Sequence, residues 1–130
     1  MTDYLYYIAN ASLTTRVAER LHHSVRLPLE FMTVIHQIDG WVVKIKLVDG
    51  IDAADLADFR AFLDEIGVLY QPGIRVRMAL WGLETGQAPV DVMRRYQVAV
   101  VSHGRPDREE IEAFRSQFVS GLGYCPETLA

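Results

Sequence analysis

Short apolar runs in the first half of the chain have the pattern that is typical of β-strands. Residues 3–9 are almost entirely aromatic or aliphatic, which predicts an inner strand covered on both faces. Residues 31–38 and 41–48 are two more β-rich runs. The dipeptide Asp39-Gly40 between them favours a two-residue turn, so we predict that these two strands form a hairpin.

Two later segments also have a strand pattern. From Ile74 to Trp81, apolar residues alternate with a second set that contains Arg75 and Arg77. Residues 96–102 form the last apolar run of strand length. We therefore predict a fourth strand at Ile74–Trp81 and a fifth strand at 96–102.

Three segments repeat apolar residues every three or four positions, which is the spacing of one helical face. The first covers residues 11–25, with Asn10 or Ser12 available as its N-cap. The second covers residues 52–66 and the third covers residues 107–123, and each opens on an aspartate that suits a helix start. We therefore predict three helices.

The predicted elements follow the order β-α-β-β-α-β and then β-α. Right-handed crossovers in this order predict an α+β fold, a two-layer sandwich with a ferredoxin-like core and one appended β-α pair. Its five-stranded, mostly antiparallel sheet would have the strand order 2-3-1-4-5. We expect one domain over residues 1–130, with the ferredoxin-like unit at 1–82, a loop, fifth strand and third helix at 83–123, and a frayed tail at 124–130.

Composition excludes several classes of protein. Half of the 130 residues are apolar and 23% are charged, as in an ordered single domain. No apolar run approaches the roughly 18 residues that span a bilayer, and the first residues lack the pattern of a secretory signal. The single cysteine, Cys125, cannot form an internal disulfide or a cysteine-based zinc site. We expect a cytoplasmic protein with no membrane association, no metal site and no cofactor.

Basic residues are concentrated on the predicted strands, although the net charge of the chain is -4. Lys44 and Lys46 lie two residues apart, as do Arg75 and Arg77, so each pair points to one face of its strand. With Trp81, they predict a cationic sheet surface that binds a partner. A solvated sheet face without function explains the same pattern equally well. If the last helix covered this face, its glutamates would pair with these cations instead.

No set of residues has the spacing of a known catalytic motif. The leading hypothesis is therefore a small interaction or regulatory protein, a homodimer, that binds a protein partner through its sheet face or an edge strand. An alternative is a small enzyme with a pocket between sheet and helices or at the 82–89 loop, using His36, His103, Arg75 and Arg77. A further and less favoured alternative is binding of single-stranded nucleic acid or another anionic ligand on the basic face.

Overall fold

The computed structural model describes residues 2–24 and 26–130. Within these ranges the chain forms an α+β fold around one open, five-stranded, antiparallel sheet. The strands are β1 (Thr2–Ile8), β2 (Leu29–Gln37), β3 (Gly40–Leu47), β4 (Gly67–Leu69) and β5 (Ala99–Gly104).

Five α-helices and one short 3-10 helix accompany the described part of the sheet. The helices are α1 (Ala11–His23), α2 (Ala53–Ile66), α3 (Ile74–Glu84), α4 (Pro89–Tyr96), α5 (Arg108–Leu122) and the 3-10 helix Glu127–Leu129. The three predicted helices correspond to α1, α2 and α5, and α3 and α4 are additional. Val25, the last residue of the predicted first helix, lies outside the described residues.

Polar side chains cap the three predicted helices as the sequence suggests. The Asn10 side chain accepts a hydrogen bond from the backbone amide of Leu13 at 3.0 Å. Asp52 accepts from the amide of Ala54 at 2.8 Å, and Asp107 caps α5 in the same way. These contacts satisfy amides that have no partner inside the helix, which explains why the helices begin there.

The strand order in the sheet is β4-β1-β3-β2-β5, and each neighbouring pair is antiparallel. The predicted central order of strands 2, 3 and 1 is present. The predicted order 2-3-1-4-5 is nevertheless wrong, because the strand beside β1 is the three-residue β4 and not residues 74–81. The last strand is also at the opposite edge from the predicted one, since β5 pairs with β2.

The predicted hairpin is formed by β2 and β3, with its turn one residue earlier than expected. Gln37 pairs with Gly40, so Ile38 and Asp39 are the two turn residues, and neither has a positive φ. The glycine is required for a different reason. A Cβ atom on Gly40 would lie 2.5 Å from the ring carbon Cζ of Tyr7, so only glycine lets this ring lie against the start of β3.

Helices cover both faces of the sheet, so the predicted two-layer arrangement is wrong. Helices α1, α2 and α5 pack on one face, against side chains that include Tyr6, Val43 and Ile45. Helices α3 and α4 pack on part of the other face, against Ile35 and Val42. The last helix, α5, therefore lies on the same side as α1 and α2, and a separate helical pair forms a third layer.

The segment predicted as the fourth strand is helix α3. Its buried residues have helical spacing: Val76, Ala79, Leu80 and Leu83. The same segment also alternates with a period of two, because Ile74 and Met78, which lie off the buried stripe, fall in sequence on either side of Val76. Alternation alone cannot separate the two structures in so short a run, and packing on the sheet decides in favour of the helix.

The C-terminal residues are docked, which contradicts the prediction of a frayed tail. Leu129 is fully buried in the core on the α1 side of the sheet. The indole nitrogen of Trp41 donates a hydrogen bond of 2.6 Å to the carbonyl of Thr128. The Arg115 guanidinium donates to the carbonyl of Leu129. The tail thereby closes one end of the layer formed by α5 and the sheet.

Candidate interaction surface on helices α3 and α4

The two lysines of the predicted cationic surface lie on the face of β3 that α3 approaches. The Nζ atom of Lys44 is 2.7 Å from the Glu84 carboxylate at the end of α3, and the two side chains are only 18% and 19% exposed. The Nζ atom of Lys46 lies 5.7 Å from the centre of the Phe31 ring. The charge of Lys44 is thus neutralised within the fold, where it links the sheet to α3.

The other three predicted site residues lie on α3 and not on a strand. Arg75, Arg77 and Trp81 are all exposed there, while Lys44 and Lys46 belong to β3 below. The prediction that all five residues lie on one face of the sheet is therefore wrong. That these residues bind a partner stays a prediction, and the surface in question is now that of a helix.

Helix α3 carries an exposed apolar stripe in addition to its buried one. Ile74, Met78 and Trp81 are 72%, 40% and 56% exposed. They are spaced by four and three residues, so they lie along one side of the helix. We call these three residues the α3 stripe. A helix that is apolar on two sides normally buries both, which makes this stripe a candidate contact surface.

Positive charge surrounds the α3 stripe. Residues 74–96 contain four arginines and two acidic residues, whereas the rest of the chain contains nine basic and fifteen acidic residues. One of the two acids, Glu84, is held by Lys44. Arg94 and Arg95 in the last turn of α4 are exposed, as are both arginines of α3. This surface is therefore cationic on a chain that is acidic elsewhere.

A groove of about 360 Å³ runs between the two helices. We call it the α3–α4 groove, and its lining residues are Ile74, Arg75, Met78, Arg95, Tyr96 and Gln97. Apolar side chains and a tyrosine ring line it together with two guanidinium groups, which can hold an apolar side chain and a carboxylate at the same time. The sequence pattern missed Ile74, Met78, Arg95 and Tyr96. The signal that would have found them is the helical spacing of the buried residues in α3.

The residues of the enzyme alternative do not converge. His103 on β5 has its Nδ1 atom 2.6 Å from the hydroxyl of Thr33, and burial lowers its pKa, partly opposed by the charge of Glu84. His36 lies on β2 beneath α5, and burial also lowers its pKa. His36 and Arg75 line one cavity, which includes neither Arg77 nor His103. The predicted four-residue site is therefore not assembled.

Metal centres and membrane-spanning helices are two further classes of functional feature. Within residues 2–24 and 26–130, no three histidine, cysteine, aspartate or glutamate side chains cluster closely enough to hold a metal ion. Among the helices of the same residues, none has both the length and the apolar character needed to cross a membrane. Comparison with protein-family models, curated proteins and solved structures finds no match. Function therefore has to be inferred from the geometry of the chain.

Proposed function

We propose that this chain is a non-enzymatic interaction protein that binds an acidic amphipathic helix of a partner protein along the α3 stripe and in the adjoining α3–α4 groove. The observation that supports it is the exposed α3 stripe on a helix whose opposite side is already buried in the fold. Burial of such a stripe against a partner removes apolar surface from water, which stabilises the complex by about 25 cal/mol for each Å² buried.

The chemistry of the groove defines the partner. Apolar residues of a partner helix at positions i, i+4 and i+7 match the spacing of Ile74, Met78 and Trp81. Carboxylates on the flanks of that helix would meet Arg75 and Arg95, whose planar guanidinium groups bind carboxylates in a bidentate way. The partner segment is therefore a helix with an apolar stripe and aspartate or glutamate on both sides of it.

Charge argues against a second copy of this chain in the groove. A symmetric dimer built on α3 would place the same surface against itself, and its arginines would face the arginines of the second copy. The homodimer predicted from the sequence would have to form elsewhere. The edge strand β4, with Val68 and Leu69 exposed, offers an unpaired strand edge for this purpose. Light scattering over a wide concentration range tests that prediction.

We further propose that residues 2–69 form a ferredoxin-like unit and that the protein is cytoplasmic. The element order β1-α1-β2-β3-α2-β4 and the sheet order β4-β1-β3-β2 support the first proposal. The exposed, unpaired thiol of Cys125 supports the second, because reducing compartments preserve such thiols. A solved structure of residues 2–69 with a different strand order, or export of the protein from its cell, would contradict the respective proposal.

A designed peptide tests the proposed function directly. The probe is an 18-residue helical peptide with leucines at i, i+4, i+7 and i+11 and glutamates beside them, carrying a fluorescent dye, and anisotropy measures its binding. Met78→Asp and Arg95→Glu are each expected to weaken binding at least tenfold, which is about 1.4 kcal/mol. Val90→Asp is the matched control, because Val90 is exposed in the first turn of α4 outside the groove, where an acid suits the helix dipole.

The result also separates the alternatives. Binding that is unaffected by Met78→Asp, or equally weakened by Val90→Asp, contradicts the proposed groove. A peptide of the same composition with scrambled order is expected to bind at least tenfold more weakly. If the protein prefers single-stranded oligothymidylate to the peptide, with an affinity that falls steeply as salt is added, the surface is a nucleic-acid site and the proposal is wrong.

A further inference from the structure

A cavity of about 610 Å³ opens at the end of the sheet where β2 turns into β3. It lies between that turn, the first residues of β5, the last turns of α5 and the docked tail. Most of its wall is apolar and includes Phe118, Leu122 and Pro126. Its size is within the range of about 300–1,000 Å³ that is typical of small-molecule sites. We call it the hairpin cavity, and it shares Arg75 and Gln97 with the α3–α4 groove but none of its other lining residues.

A buried histidine forms part of the cavity wall. His36 is only 7% exposed, and its ring packs against Trp41, Phe114 and Phe118 at centroid distances of 4.8, 5.2 and 5.4 Å. Its Nε2 atom lies 3.4 Å from the Thr128 hydroxyl, which is long for a hydrogen bond. Burial lowers the pKa of His36, so the ring is uncharged near neutral pH and can offer a hydrogen bond to a ligand.

Two charged side chains line the cavity, and they differ in what they already bind. Asp39 lies near the Tyr7 hydroxyl, whose pKa is raised to about 12, first by burial and then by this carboxylate. Arg75 makes no ion pair with any residue in the part of the chain that the structure describes. The positive charge that an anionic ligand can meet in the cavity is therefore the guanidinium of Arg75.

We propose that the hairpin cavity binds a small amphipathic organic anion, with one carboxylate at Arg75 and an aliphatic or aromatic body between Phe118 and Leu122. A mostly apolar wall with a few convergent polar groups is the usual design of such sites. The cation selects the carboxylate, and the uncharged His36 lets the body of the ligand lie on the aromatic side of the cavity.

The test uses three ligands that share an eight-carbon skeleton and differ in charge: octanoate, 1-octanol and octylammonium. The chain contains two tryptophans, so Trp81→Phe leaves Trp41, whose ring contacts His36, as the only tryptophan reporter. In this background, titration of Trp41 fluorescence is expected to give the order octanoate, octanol, octylammonium, with at least a tenfold preference for octanoate over octanol. Equal binding of the three ligands, or no binding of octanoate at millimolar concentration, overturns the proposal.

Two arginines of α3 provide the matched variants. Arg75→Gln is expected to remove the preference for octanoate while octanol still binds, because the apolar wall is intact. Arg77→Gln is the control, since Arg77 is also exposed on the same helix and does not line the cavity. If Arg77→Gln has the same effect as Arg75→Gln, the preference for octanoate comes from the overall positive charge of the surface. The assignment of the carboxylate to Arg75 is then wrong. Arg95→Gln should weaken octanoate binding less than Arg75→Gln does, because Arg95 does not line the cavity, and this separates failure here from failure of the peptide groove.

Discussion

Gly40 offers the sharpest test of packing in this fold, because the prediction concerns a single methyl group. In Gly40→Ala the new Cβ atom would lie 2.5 Å from both Cζ and the hydroxyl oxygen of Tyr7 and 2.7 Å from Cε1. Ordinary contacts between such atoms begin near 3.5 Å, so the ring has to retreat by about 1 Å. The backbone of Gly40 does not itself require glycine, because its φ is not positive.

The cost depends on what the Tyr7 ring gives up when it moves. The ring packs against Tyr70 with centroids 5.4 Å apart, and the nearby Asp39 carboxylate helps to raise the pKa of its hydroxyl. Overpacking of this kind costs about 1–3 kcal/mol, which includes the contact that the displaced ring loses against Tyr70. Loss of glycine's freedom in the unfolded chain offsets about 0.4–1 kcal/mol of this. We expect Gly40→Ala to lower the free energy of unfolding by about 2 kcal/mol.

Urea unfolding followed by circular dichroism measures the effect, in a double-mutant cycle with Tyr7→Leu. Leucine lacks the far end of the ring, so Gly40→Ala in that background should cost less than about 0.5 kcal/mol. Gly73→Ala is the control, because a Cβ there meets nothing within 4 Å and its φ of -66° suits alanine. Equal costs of Gly40→Ala with and without the Tyr7 ring would refute the reasoning.

Three further predictions concern the sheet and its helices. Lys44→Met leaves the Glu84 carboxylate, which is 19% exposed, without its cation, so the free energy of unfolding in urea should fall by about 1–3 kcal/mol, and adding Glu84→Gln should recover most of the loss. Gly67→Ala places a Cβ atom 2.8 Å from a backbone oxygen of β1, which cannot retreat as a side chain can, so hydrogen exchange at β4 should accelerate; unchanged protection there would show that the strand pair is not strained. Because burial lowers the pKa of His36 and His103 below the ordinary histidine value of 6.5, the unfolded chain takes up protons that the folded chain does not as the pH falls through about 6.5. Stability should therefore be lower at pH 5 than at pH 7.5, and a urea midpoint that rises on acidification would contradict this.

Much of the sheet follows from the sequence because its signals are local. The strands β1, β2 and β3 lie where their apolar runs predicted them. The helices α1, α2 and α5 each begin one residue after a capping residue that the sequence offers, Asn10, Asp52 or Asp107. Strand β4 has only three residues, which is too short to give a period of its own, and it begins directly after α2 ends. The partner of β5 depends on long-range packing, and no local pattern distinguishes one sheet edge from the other.

The candidate site could be predicted only in part, for a related reason. The two lysines of β3 do share one face. Glu84, whose carboxylate neutralises Lys44, lies at the end of α3, a helix that the sequence predicts as a strand. Two apolar stripes on α3, one buried and one exposed, together imitate the alternation of a strand. The exposed stripe that now carries the proposed function is thus the feature that misled the secondary-structure prediction.

The position of Arg75 has a consequence for regulation. Its side chain lines both the α3–α4 groove and the hairpin cavity, and Gln97 does the same. Two carboxylates at one guanidinium share a single positive charge and repel each other, so a small carboxylate in the cavity would act as an antagonist of the acidic partner helix. By thermodynamic linkage the partner would expel the small anion to the same degree, and the cellular level of that anion would set how much of the protein is engaged.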